Sequence, residues 1–134
     1  MAYECFFKKI NTVMKLIIAI FVGGGLGSLC RYGLSSWLIN YSKNLPLGTL
    51  SSNFIASAIL GVTVFFLAPK LGTNHWLVAF LAIGFCGAFS TFSTFSLETI
   101  RLIQSGQWIW AAANILVSLL LCITVLLALM KAST

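Results

Sequence analysis

Four apolar runs, each long enough to cross a bilayer as a helix, occupy most of this chain. About 20 apolar residues suffice to span the hydrocarbon core, and the runs lie at about residues 16–39, 48–68, 75–103 and 108–130. With 60% hydrophobic and only 7% charged residues, too little charge remains to cover a water-facing surface. The expected fold is therefore all-α and integral to the membrane, with residues 1–134 forming a single transmembrane domain of four helices. Lys8, Lys9 and Lys15 precede the first run as in a signal peptide, but the run is too long for one and lacks a small-residue cleavage pattern. The net charge of +6 comes without a basic run or interleaved aromatics. It reads as anchoring at the membrane edge and argues against nucleic-acid binding. Cys5, Cys30, Cys86 and Cys122 stand singly, far from the lone His75, so neither zinc nor a disulfide framework is indicated.

Within the third run, the segment from Gly84 to Glu98 is a poor helix former. Five of the seven residues from Ser90 to Ser96 carry hydroxyls, the other two are Phe, and Gly84 and Gly87 lie just upstream. One reading is a broken helix, whose freed backbone groups are tolerated at membrane depth only inside protein or along a polar cavity. The other is an intact helix in which Ser and Thr bond back to earlier carbonyls while Phe packs in the core. Polar residues recur at four-residue spacing in three runs: Thr49, Asn53 and Ser57; Ser90, Thr94 and Glu98; Asn114, Ser118 and Cys122. Phe89, Phe92 and Phe95 recur every three residues on a neighbouring face. Gly23 and Gly27 form a small-x-x-x-small pair that lets another helix approach closely. Arg31 either snorkels to the interface or pairs with a loop. Loops are expected around Lys43, Asn44 and Pro46, at Pro69 to Asn74 and at Gln104 to Gln107, with Trp76, Trp108 and Trp110 at the aromatic belts.

Glu98 is the single acid within the runs, which leaves no carboxylate pair, magnesium cluster or Ser-His-Asp set, and an enzyme is not expected. Hydroxyl and amide donors suit a small anion that must exchange its hydration for hydrogen bonds, and Phe ring edges present the positive rim of the aromatic quadrupole. Four helices from one copy can hardly enclose a path and also pack a core, so oligomerisation is expected. A drug exporter coupled to protons needs an acid in its first span, and none occurs between Glu4 and Glu98. A purely structural assembly subunit gives no reason for three aligned polar stripes.

The segment Gly87 to Glu98, with Ser90-Thr91-Phe92-Ser93-Thr94-Phe95-Ser96-x-Glu98 at its centre, resembles the third helix of the Fluc (CrcB) family of fluoride channels. Gly24-Gly25-Leu26-Gly27-Ser28-Leu29-Cys30-Arg31-Tyr32 and Gly48-Thr49-Leu50-Ser51-Ser52-Asn53 are similar to the family's blocks in helices one and two. Ala88, Ser90, Ser28 and Ala56 depart from the pattern, each keeping a small side chain. The resemblance implies an antiparallel, dual-topology homodimer in a bacterial-type inner membrane, with a third helix broken near its middle and two paths for passive fluoride export. It implies pathway roles for Asn53, Phe92, Phe95, Ser93, Thr94, Ser118, Thr49 and Glu98, and a vestibule role for Arg31. It also implies a structural sodium ion at the dimer centre, held by the backbone carbonyls of Gly87 and Ser90.

Overall fold

The computed structural model describes residues 2–41 and 45–134; Lys43 and Asn44 of the expected first loop, and the side chains of Glu4, Cys5 and Lys8, lie outside the described residues. The described chain is helical throughout, apart from short turns, and four stretches are long and apolar enough to cross a membrane: Lys9–Leu38, Leu47–Leu71, Trp76–Gln104 and Trp108–Ala132. The first helix, α1 (Ala2–Leu38), begins well before the apolar run at 16, because hydropathy marks where lipid begins and not where helix begins. It reaches Leu38 without interruption despite its clustered glycines.

Those glycines are a packing surface. A Cβ at Gly23 would clash with the carbonyl oxygen of Phe80, and one at Gly27 with that of Phe85. Reciprocally, a Cβ at Gly84 would stand 2.7 Å from the carbonyl oxygen of Ile20. The first and third spans therefore run parallel with their backbones in direct apposition, as a small-x-x-x-small pair permits. Gly24 and Gly25 meet no such neighbour.

The second span is α2 (Leu47–Val62), a π-helical stretch (Thr63–Leu67) and α3 (Ala68–Leu71). The expected turn from Pro69 to Asn74 is shorter than its sequence suggested, since Pro69 and Lys70 are helical. The wider π turn, closed by the Ala68 N–H on the Thr63 carbonyl, precedes the proline ring and relieves its clash with the turn before it. Gly72, at φ 88°, ends the helix.

The third span is broken. It comprises α4 (Trp76–Val78), a π-helical stretch (Ala79–Phe85), α5 (Cys86–Phe89), two extended residues and α6 (Phe92–Gln104). Ser90 has φ −78° and ψ 158°, and Thr91 has φ −154° and ψ 121°. Gly87 itself is helical, so the break falls after it, at Ser90 and Thr91. Two sequence patterns are corrected by this. Ser90 does not continue the stripe of Thr94 and Glu98, because the helical register is lost between them. Phe89 likewise parts from Phe92 and Phe95: it is buried with Ala56 and Cys86 in the core, its ring 5.3 Å from that of Phe85. The fourth span, α7 (Trp108–Ala132), follows a tight loop in which Gly106 takes φ 76°, and it packs on the second span where Gly61 meets Leu129.

Candidate functional site

The break is built by hydrogen bonds that replace the helical ladder. The Thr91 side chain caps α6, its Oγ1 accepting from the Thr94 N–H at 3.2 Å. The Asn53 amide clasps the same residue from the second span. Its Oδ1 accepts from the Thr91 N–H at 2.7 Å, and its Nδ2 donates to the Thr91 carbonyl at 3.2 Å. In an unbroken helix those two N–H groups, of Thr91 and Thr94, would bond the carbonyls of Gly87 and Ser90. Their diversion releases the same two carbonyls that the sequence resemblance singles out. The Ala88 carbonyl accepts from Arg31 Nε at 3.1 Å. Arg31 thus ties α1 to the last turn of α5, helical backbone just before the break and not a loop.

Beside the break lies an open groove of about 240 Å³ lined by Asn53, Ser57, Ser90, Thr91, Phe92, Phe95, Ser118, Leu119 and Cys122. The Phe92 and Phe95 rings face each other at 5.8 Å between centroids, tilted by 39°. Ser57 and Ser90 hydroxyls are committed to carbonyls four residues back, those of Asn53 and Cys86. The Ser118 hydroxyl is different. It is buried, and among the described residues no partner satisfies it. Asn53 retains one amide hydrogen beyond its two bonds to Thr91. The groove therefore offers uncommitted donors and two aromatic side chains, and its lining carries no formal charge.

Of the residues picked from sequence, Asn53, Ser90, Phe92, Phe95 and Ser118 come together at this groove. The Thr94 and Ser93 hydroxyls lie within 3.1 and 3.2 Å of Thr91 Oγ1. Thr49 is not part of the lining; its buried hydroxyl donates to Glu98 Oε1 at 2.9 Å, joining the second span to α6, while Glu98 Oε2 has no partner among the described residues. Gly87 is exposed and its missing side chain faces open space. Thr91 was overlooked as a positioning residue, although Thr91-x-x-Thr94 ahead of an apolar run has the spacing of a helix cap. Thr99 was also missed: it accepts from the buried Asn114 Nδ2 at 2.9 Å and so holds α6 to α7. Among the described residues no cluster of His, Cys, Asp or Glu is placed to hold a metal, so a cation at the break would rely on backbone oxygens.

Residues 18–130 match the family model described as CrcB-like protein, Camphor Resistance (CrcB). The chain belongs to the CrcB family. Its curated relatives include a fluoride-specific ion channel FluC of Serratia proteamaculans, 36% identical over 80% of this chain and 84% of the relative. A FluC of Coxiella burnetii is 40% identical over 80% of this chain and 88% of the relative. One of Escherichia coli K12 is 37% identical over 81% and 85%. The CrcB match takes in the groove, the break and the glycine-packed face of α1, and leaves residues 1–17 outside it.

Proposed function

We propose that this multi-pass membrane protein is a fluoride channel, passing the ion down its gradient and catalysing no reaction. Membership of the CrcB family and the names of its relatives support the ion. The observation that carries the chemistry is the unpartnered, buried Ser118 hydroxyl in a groove edged by Phe92 and Phe95. A dehydrating anion needs donors that no protein acceptor already occupies. Ring edges add favourable electrostatics without binding so strongly that the ion cannot leave. An exporter of drugs has no support in this groove, which lacks a titratable acid to couple a proton to transport.

The working unit in this proposal is an antiparallel homodimer. Phe92 is 78% exposed, Gly87 and Ser93 on either side of the break are exposed, and the extended Ser90 and Thr91 are only half-buried, so irregular backbone would otherwise border lipid. Lipid does not tolerate that, and a second copy across the break covers it. The Gly87 and Ser90 carbonyls fit the expected sodium ion, because both have lost their ladder donors and a two-fold axis would double them to about four oxygens. Such an ion supplies fixed positive charge near the middle of an anion path. The residues of this chain do the positioning: Asn53 and Thr91 keep the carbonyls turned out, and Arg31 holds Ala88 back from them.

Reconstitution in liposomes with a fluoride electrode tests the proposal. Fluoride efflux with no matching chloride efflux is expected, and equal rates for both ions, or none for fluoride, would sink it. Replacing all sodium by N-methyl-D-glucamine tests the cation separately. Reduced flux is expected, and unchanged flux would leave the carbonyls as mere packing features.

A further inference from the structure

We infer that the N-terminal part of α1, residues 2–15, is a basic amphipathic helix that binds the anionic phospholipid headgroup layer at the membrane edge. The depth of this segment is fixed by its neighbours. Lys15, Ile18, Ala19 and Val22 line one cleft with Trp76 and Phe80. Trp76 opens the third span and is 52% exposed, the position at which aromatic residues mark the interface. Lys15 therefore stands level with the edge of the bundle. At 1.5 Å per residue, the helix from Ala2 to Lys15 extends about 20 Å past that edge. It also falls outside the family match, which begins at residue 18, so the conduction machinery described above does not account for it.

The composition of the extension is not that of a water-exposed helix. Tyr3, Phe7, Ile10, Met14 and Ile17 recur at alternating spacings of four and three and form one apolar stripe, every member of it exposed. Asn11 and Lys15 follow the same spacing on an adjoining stripe, with Lys9 and Thr12 beyond. By sequence, residues 2–15 hold three lysines against one acid, a net positive charge. A helix with aromatic and aliphatic residues along one side and lysines along the other lies in the plane of the boundary between headgroups and acyl chains, so on the membrane this segment bends near Lys15 away from the axis of the first span, and its charge selects anionic over zwitterionic lipid. Each lysine near such a surface changes local partitioning by about fivefold, and three together by on the order of a hundredfold.

The test uses the full chain with its native cysteines replaced by Ala and a single nitroxide label at Ile10→Cys or Thr12→Cys. Vesicles are of phosphatidylcholine alone or of phosphatidylcholine with phosphatidylglycerol. In the anionic vesicles the label at 10 should be reached by oxygen and shielded from an aqueous nickel chelate, and the label at 12 the reverse. The shielding at 10 should weaken severalfold in phosphatidylcholine alone, and also in anionic vesicles when Lys8→Gln, Lys9→Gln and Lys15→Gln are combined. Elution of that variant with its parent in detergent shows that it is folded. The inference is overturned if the label at 10 is equally open to the chelate in both lipids. It is overturned as well if both quenchers are excluded in both lipids, which would mean that a second copy covers the stripe.

Discussion

Asn53 and Ser118 are both polar, both in the middle of a span and both at the groove, yet their hydrogen bonds assign them different work. Asn53 is a clasp with two bonds to the Thr91 backbone, whereas Ser118 has none among the described residues. Interhelical bonds in membranes contribute about 1 kcal/mol each, so Asn53→Ala should cost roughly 1–2 kcal/mol and collapse the break onto a helical ladder. Fluoride flux should fall with it. Ser118→Ala removes a hydroxyl that stabilises nothing, so its effect on stability should stay within about 0.5 kcal/mol. Its flux should nevertheless fall about tenfold or more, the loss of one donor to a charged ligand. Thermal unfolding in detergent alongside liposome flux separates the two. A Ser118→Ala variant that conducts normally would remove the observation on which the proposed path rests.

At the level of elements, the spans were legible in the sequence and the joints within them were not. Hydropathy and the belt residues Trp76 and Trp108 mark where helices meet the membrane; the apolar helical stretches that begin at Leu47, Trp76 and Trp108 lie beside those signals, whereas the first begins at Lys9, well before residue 16. The break was visible as poor helix propensity but its position was not. The break is set by a bond between residues 38 apart in sequence, from Asn53 to Thr91, and no local pattern encodes that. The same applies to Pro69, whose place inside a helix depends on the π turn before it. The glycine pair was legible because its spacing is its function. Gly27→Ala should therefore disrupt the docking of the first span by about 1–3 kcal/mol through overpacking against backbone that cannot yield. Gly25→Ala, which meets open space, should be neutral or slightly stabilising through its better helix propensity. Yields of folded protein from the two variants check this, and equal yields would show that the apposition of α1 and the third span is looser than described.

For the whole molecule, the distribution of charge bears on how two copies meet. The first and third spans run parallel, so among the described residues Lys9, Lys15, Lys70 and Lys131 fall toward one side of the membrane and Arg31 and Arg101 toward the other, and the sequence adds Lys8 before the first span and Lys43 after it. Orientation follows the excess of Lys and Arg on cytoplasmic loops. A split of five to three is a weak bias, so both orientations should coexist with some preference for an N-terminus inside. If conduction needs an antiparallel pair, fixing the orientation must abolish it without touching the groove. Thr73→Lys with Asn74→Lys, in the exposed turn after Gly72, should drive nearly all copies to one orientation. Gln104→Lys with Ser105→Lys should drive them to the other. Cysteine labelling from each side of the membrane reads the orientation, and liposome flux reads the activity. Each variant alone should be silent and the two coexpressed should recover flux, because only then does each exposed break find an inverted partner. Full flux from a uniformly oriented variant would show that the break is covered in some other way and that the antiparallel dimer is not the conducting unit.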